Sequence, residues 1–526
     1  MPDAHTTEGS GAGPEATGAP PEAGRGGSEA AVARPEAGPA GPASAGPDSA
    51  GAGAEAAIAA GVARALTARL GPVRIEGLER LTGGASRETW RVDAVDAAGA
   101  VHPLVLRRDP PGRPGPSGAM RREADALRVA GAAGLAVPEV VAASEDPACW
   151  GSAGIVMARV EGQALARRIL RDDAYAGARA RLAGDCGRFL AGLHALDPGA
   201  VPGLEAGDQL ARWRDALDFT GGSSPTFELA LRWLDAHRPP ASGTLARPAI
   251  VHGDFRLGNL LVGPDGLRAV LDWELVHAGD PIEDLGWLCV RAWRFGAEPP
   301  VGGFGRREQL VEAYVAAGGR PVDPEALRWW EVFGTLRWGV ICLGQVDAHL
   351  TGALRSVELA AIGRRVCEQE WDLLLLLAPD AVAAVAPRLA AADRSDATAP
   401  TADPGLHGRP TAGELLAAVR EYLRDDVMPG TTGRLAYHAR VAANVLAVVE
   451  RELVAGPDPV GAHRTGLALL GAASDAELAA ALRSGALAGR DGDVIGVLAR
   501  AVADKLAVAN PRYAGTSAGA GGGSDG

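Results

Sequence analysis

Apolar positions along this chain change their spacing near residue 160. From about residue 55 to 157 the pattern is mixed. "ETWRVDAV" alternates apolar and polar positions as a half-buried strand does, and "HPLVLRRD" is a second short strand. "AMRREADALRVAGAAG" reads as a helix, with Ala119, Ala126, Leu127 and Ala130 on one small-residue face and Gly134 as its stop. "VPEVVAAS" and "AGIVMARV" return to extended structure. From about 160 to 385 the period is mainly helical, as in "RLAGDCGRFLAGLHAL", with one interruption at "VHGDFRLGNLLVGPDGLRAVLDWE". The expected class is α+β: a β-rich lobe followed by an α-rich lobe.

"RLAAADRSDATAPTADPGLHGRP" has linker composition, and we set the linker at 387–409. Beyond it, Thr411 and Glu414 form a T-x-x-E capping box, and Leu435, Ala439, Ala442, Leu446, Val449 and Leu453 are spaced as a helix-packing seam. A small all-helical domain is expected over 410–513, with a flexible Gly-rich tail at 514–526. Residues 1–54 are mostly Ala, Gly, Pro, Glu and Ser and offer almost nothing to bury. Such a segment cannot offset its ordering entropy, so a disordered tail is expected there.

Composition narrows the function. A formal charge of −13 leaves no basic footprint for nucleic acid and disfavours anionic membrane surfaces. No apolar run reaches the length of a membrane span, and the N-terminal residues lack the apolar core of a secretory signal. Five well-separated cysteines without C-x-x-C spacing suit free thiols in a cytoplasmic protein better than disulfides or zinc. Lys505 is the single lysine. The surplus of Ala, Gly, Arg and Pro over Lys also follows from a GC-rich coding sequence, so its rarity alone assigns nothing.

The interrupting stretch carries the chemistry. Asn259 follows Asp254 by five residues, and Gly263-Pro264-Asp265-Gly266 is a strong turn signal between "NLLV" and "LRAVLDW". That hairpin would return Asp272 to the side of Asn259. Convergent Asp and Asn oxygens suit Mg²⁺, which takes its other ligands from water and substrate phosphates. A carboxylate beside the metal could accept a hydroxyl proton, which is the equipment of phosphoryl transfer. The plain alternative is a hairpin with solvated acidic residues.

Taken together, "HGDFRLGN", "VLDWE" and "GDPIEDLGWL" resemble the aminoglycoside phosphotransferase family, relatives of choline kinase and the protein kinases, over about residues 60 to 385. The resemblance implies a bilobal protein-kinase-like fold with an N-lobe at 55–157 and a C-lobe at 158–386, binding ATP and Mg²⁺. It makes Asp254 the catalytic base, Asn259 and Asp272 the metal ligands, and His252 a buttress of the loop. It also draws attention to Gly83, Gly84 and Ser86 of "LTGGASRETW" as a phosphate-cradling turn, although a Gly-Gly hairpin turn reads the same way. Relatives among the protein kinases place a lysine on the next strand, paired with a helical glutamate. Here Arg107, with Glu123 as partner, is the best substitute, and Arg108 takes the role if the register slips by one. Met157 would pack near the adenine, with backbone groups of Ala158 to Val160 hydrogen-bonding it; a buried edge-strand Met is the alternative. Arg256 would neutralise the transferred phosphate, unless it only pairs with Glu274 or another carboxylate. Asp280, Pro281 and Glu283 read as a helix start, Asp284 as a brace for the catalytic loop, and Glu274 as a group near metal-bound water or substrate.

The family's acceptors are small hydroxyl compounds. The mixed charges of Arg212, Arg214 and Arg232 against Asp215, Asp218 and Asp235 do not favour a polycation. "VLRRDPPG", "HGDFRLGN" and "LRWLDAHRP" look closer to the subgroup that resembles the kinase part of acyl-CoA dehydrogenase fusions, which act on hydroxyacyl-CoA. A hydroxy acid or hydroxyacyl thioester is therefore the leading acceptor, with an aminoglycoside as the alternative. A catalytically inactive nucleotide-binding scaffold is the rival reading, supported by the missing lysine. The helical domain resembles an uncharacterised domain attached to kinases of this family. Homodimer formation and docking on the kinase lobe are both open for it.

Overall fold

A computed structural model of the chain describes residues 47–81, 87–239, 247–394 and 409–514. Five strands form one antiparallel sheet: β1 (Val73–Leu81), β2 (Glu88–Asp96), β3 (Val101–Arg108), β4 (Val140–Ser144) and β5 (Gly154–Ala158), in the order β1-β2-β3-β5-β4. The alternation along β2 sends Trp90, Val92 and Ala94 to one face. There they meet Ile58, Val62 and Leu66 of the helix Pro47–Leu70, which begins ahead of residue 55, inside the segment expected to be tail. The helix Ala119–Ala132 buries Met120, Ala124, Leu127 and Ala130 in the core that also holds Ile155 and Met157 of β5.

The second lobe is helical around two small sheets. β6 (Ala249–Val251) pairs with β9 (His277–Gly279), and β7 (Leu260–Gly263) pairs with β8 (Gly266–Val270) as a hairpin. The helices Ala176–His194 and Pro324–Leu350 pack around them, enclosing Phe189, Phe255, Trp273 and Phe333. The chain is thus bilobal, β-rich first and α-rich second.

The remaining helices are Ala412–Tyr422, Gly433–Ala455, Asp458–Leu469, Asp475–Arg483 and Asp491–Ala509. They share one core with the α-rich lobe. Cys367, Trp371, Leu374, Val382 and Leu389 interleave with Leu478, Leu482, Val494, Leu498, Val502 and Leu506. The helix Val366–Leu377 also presents three buried acids to the last helix and its extension. Glu370 pairs with Lys505 at 3.0 Å, Glu368 accepts from Asn510 at 2.9 Å, and Asp372 accepts from Tyr513 at 2.6 Å. Arg483 bonds Asp218 at 2.7 Å and reaches Glu228. The helical unit is docked on the lobe, and Asp218 of the mixed-charge stretch serves that docking.

Two sequence expectations change here. The helix Pro379–Arg394 joins the shared core, so the stretch read as a linker from 387 starts inside a helix. The seam on Gly433–Ala455 is not a buried seam: Leu435 and Leu453 are 60% and 53% exposed, while Ala439 and Ala443 are buried. That helix touches Ala412–Tyr422, Val357–Gly363 and Asp491–Ala509, and these neighbours leave the two ends of the predicted stripe exposed. The capping box of Thr411 and Glu414 is formed. Among the described residues no helix is long and apolar enough to cross a membrane, and all five cysteines are free thiols.

Candidate active site

The β7–β8 ladder sets the geometry. Beyond the last strand pair, Leu271 N–H donates to the Asn259 carbonyl at 2.8 Å, which brings Asp272 beside Asn259. Asp272 has φ 66°, a left-handed backbone that a non-glycine residue adopts at a cost and that Asp tolerates better than most.

Asp254 follows β6 through Gly253, whose φ is 80° and whose missing Cβ would collide with the Leu275 carbonyl. The loop is held from behind by Asp284. Its carboxylate accepts the N–H of His252 at 2.8 Å and of Gly253 at 2.9 Å, and lies 3.2 Å from Nε2 of His194. Burial raises the Asp284 carboxyl, but His194, His252 and the backbone donor outweigh it and hold the group below the usual carboxylate range.

His252 accepts the Asp254 N–H on Nδ1 at 3.1 Å, so its Nε2 donates to the Leu271 carbonyl at 3.0 Å. Burial lowers its pKa despite the carboxylates around it. A neutral ring with both nitrogens engaged by backbone is a strut, not a proton carrier.

Arg337 donates to the Gly253 carbonyl at 2.7 Å and to Glu283 at 3.0 Å, stacked over Trp287. Glu283, expected to cap the helix Ile282–Cys289, is instead buried between Arg337 and His277. A buried guanidinium and imidazole claim it more strongly than a single backbone N–H. Asp280 does accept from Ile282 N–H at 2.9 Å.

The Asp254 carboxylate takes three donors: Trp287 Nε1 at 2.9 Å, Asn259 Nδ2 at 2.6 Å and Arg256 Nε at 3.0 Å. Because Nδ2 of Asn259 also reaches the Asp254 carbonyl at 2.9 Å, its amide oxygen is turned away from Asp254. Arg256 lies over the Trp293 ring at 4.7 Å and pairs with Asp254 rather than with Glu274.

From the other lobe, β3 offers two adjacent arginines that point to opposite faces. Arg107 bonds Glu123 at 2.5 Å, Asp272, and Glu274 at 3.3 Å. Burial would lower its pKa, but the three carboxylates drive it up. Arg108 turns to the sheet's other face, donating to Glu88 at 3.0 Å and to the Trp150 carbonyl at 2.5 Å. The register places Arg107, not Arg108, in the cleft.

Arg87 escaped the sequence reading. It is buried beside Arg107, bonds the second oxygen of Glu123, and lies 3.5 Å from Asp109 and 3.8 Å from Glu274. The signal was its position directly after the Gly83-Gly84 stretch. Gly83, Gly84 and Ser86 themselves lie outside the described residues. Met157 is buried opposite Val105. The Ala158 N–H is engaged by the Glu139 carbonyl at 2.9 Å and the Arg159 N–H by Pro103, so neither is available to an adenine. The Val160 N–H makes no backbone hydrogen bond among the described residues.

No group of three or more His, Cys, Asp or Glu side chains among the described residues could hold a metal by itself. Asp272 and the Asn259 amide oxygen are hard donors, fitting a Mg²⁺ ion that completes its shell with water and phosphate oxygens.

Residues 77–330 match the family model described as Phosphotransferase enzyme family, and residues 429–513 match one described as a domain of unknown function. The mouse (Mus musculus) acyl-CoA dehydrogenase family member 10 is 29% identical over 321 residues, covering 55% of this chain and 28% of that protein. The rat (Rattus norvegicus) acyl-CoA dehydrogenase family member 11 is 25% identical over 364 residues, covering 64% and 44% respectively. The chain thus spans less than half the length of these curated relatives. Among solved structures, the macrolide 2'-phosphotransferase MphH of Brachybacterium faecium aligns at 23% identity and a TM-score of 0.38, covering 56% of this chain and 96% of that one.

Proposed function

We propose that the protein is an ATP- and Mg²⁺-dependent phosphotransferase whose acceptor is the hydroxyl of a small molecule. The observation that carries this reading is the convergence of Asp254, Asn259, Asp272 and Arg107 from two lobes on one cleft. The match of residues 77–330 to a phosphotransferase family supports it.

In this reading Asp272 and Asn259 hold the cation, which when bound neutralises phosphate charge. Asp254 orients the acceptor hydroxyl and takes its proton as that oxygen bonds to the γ-phosphorus and the bond to ADP breaks. Trp287 donates to one oxygen of that carboxylate and Asn259 to the other, which together fix its plane. Arg107 is held by Glu123 and directs donors at the phosphates, where a planar fork can serve in place of an ammonium. Arg256, stacked on Trp293, exchanges its Asp254 partner for the phosphoryl group in flight.

The acceptor is proposed to be a hydroxy acid or hydroxyacyl thioester, in keeping with the two acyl-CoA dehydrogenase relatives, each of which this chain matches over a minor part. Mg²⁺-dependent consumption of ATP that disappears in Asp254→Ala tests the reading. Nucleotide binding without turnover in either protein would favour an inactive scaffold instead.

A further inference from the structure

A cavity of about 540 Å³ opens between the catalytic lobe and the helical C-terminal unit. Its volume falls in the range of small-molecule sites. The catalytic lobe contributes Arg291, Trp293, Arg294, Trp338 and Arg365, and the C-terminal unit contributes Asn510, Arg512 and Tyr513.

Three observations connect this space to chemistry. The first is a chain of ring contacts. Trp293 carries Arg256 on its face at 4.7 Å, and Arg256 bonds Asp254. Trp293 also meets Trp338 at 4.8 Å, and both line the cavity, so its wall is two side chains from the proposed base. The second is backbone strain. Among the described residues only Asp272 and Phe295 combine a side chain with positive φ; one sits at the proposed cation site and the other, at 50°, lines this cavity. Strained residues persist where the surroundings over-determine them, often at functional sites. The third is an excess of unused donors. The indole N–H groups of Trp293 and Trp338 are buried without a partner among the described residues.

The charge of the lining favours one ligand class. Four arginines face a single acid, Glu298. Each guanidinium has a carboxylate behind it: Asp372 for Arg291, Glu331 for Arg294, Glu368 for Arg365 and Asp393 for Arg512. A guanidinium carries five N–H donors. Among the described residues Arg365 and Arg512 each spend only Nε on that partner. Their terminal nitrogens can meet an anion in a planar fork.

We infer that this cavity is the acceptor site, that the C-terminal unit completes it, and that it takes a hydroxylated molecule bearing a carboxylate or phosphate. The inference rests on the phosphotransferase reading and deepens it. Docking of the helical unit then has a purpose beyond stability, because Asn510 to Tyr513 become part of the specificity wall.

The test uses the full chain with Mg²⁺ and ATP, offering hydroxybutyrate, hydroxybutyryl-CoA, neutral butanediol and the polycation kanamycin. The expected result is phosphorylation of an anionic probe with kcat/KM about tenfold or more above butanediol. The two anionic probes separate a free carboxylate from the phosphates of a thioester carrier. The Arg365→Ala/Arg512→Ala double variant should lose about tenfold of that preference, whereas Arg424→Ala, exposed and outside the cavity lining, should keep it. Both cavity side chains are substantially exposed, so their removal opens no hole in the core. Equal use of butanediol, a preference that survives the double variant, phosphorylation of kanamycin alone, or no product from any probe would overturn the inference. The first three outcomes are themselves phosphoryl transfer and leave the phosphotransferase reading standing; with no product from any probe, acceptor-free ATP hydrolysis that depends on Asp254 would keep that reading, and its absence would remove both.

Discussion

Arg107 bonds Asp272 across the cleft while it holds Glu123 at 2.5 Å, so one side chain of β3 ties an N-lobe helix to the C-lobe hairpin. No lysine could make both contacts with the same geometry, because an ammonium is a compact point charge and a guanidinium is a rigid fork.

Arg107→Lys should therefore not behave as a conservative change. Expected are a rise in KM for ATP and a fall in kcat, each of about tenfold. Arg107→Leu should in addition destabilise the fold by ~3 kcal/mol, since among the described residues Glu123 then keeps only Arg87 as an ionic partner. Steady-state kinetics and urea unfolding check the two effects.

Arg108 should give the opposite split. Its guanidinium serves Glu88 and the Trp150 carbonyl on the far face of the sheet. Arg108→Leu is expected to cost ~3 kcal/mol in unfolding free energy, with KM for ATP within about twofold of wild type. A large rise in that KM would mean that Arg108 reaches the nucleotide.

Trp287→Phe removes one N–H donor from Asp254 while keeping most of the packing against Trp293. A hydrogen bond to a carboxylate contributes about 1.5–3 kcal/mol, so kcat should fall by about tenfold or more. KM for ATP should move little, because the lost bond touches the base and not the nucleotide. A proportional fall in both would place Trp287 in folding alone.

Asp372, at the junction with the C-terminal unit, supplies a pH test. Burial pushes its carboxyl up to about 6, outweighing Arg291 and Tyr513. The folded protein therefore binds this proton more tightly than the unfolded chain does. Its contribution to stability is present in full below the ordinary value of 3.8 and is lost as pH rises through about 6. Asp372→Asn should flatten the stability profile between those two values, read as unfolding midpoints at fixed salt. An unchanged slope would assign the pH dependence to other groups.

Much of the site was legible because it is local. The Gly-Pro-Asp-Gly turn and the end of β8 belong to one hairpin, and the five-residue step from Asp254 to Asn259 leads directly into it. What escaped was long-range. Adjacent arginines in "VLRRD" must point to opposite faces of a strand, but only the pairing of β3 with β2 and β5 decides which face is the cleft. Arg87 and Trp287 acquire their roles from partners 36 and 33 residues away. The seam on Gly433–Ala455 misled because periodicity reveals a stripe and not the neighbour that covers it. A clue to the docking did exist. "VCEQEWDLLLLL" carries buried residues all round, and a helix of that kind needs cover on every side.

The shared core also has a consequence for how the chain is made. Synthesis proceeds from the N-terminus, and domains generally fold as they emerge. Here the helix Val366–Leu377 waits for Lys505, Asn510 and Tyr513 before Glu368, Glu370 and Asp372 find these partners. Until then Trp371 and Leu374 also lack their cover from the last helix. A chain stopped short of residue 505 would leave the helix Val366–Leu377 as an unsealed, acid-studded apolar surface. Both the partners of those acids and the cover of that apolar face arrive only with the final helix and the residues just after it.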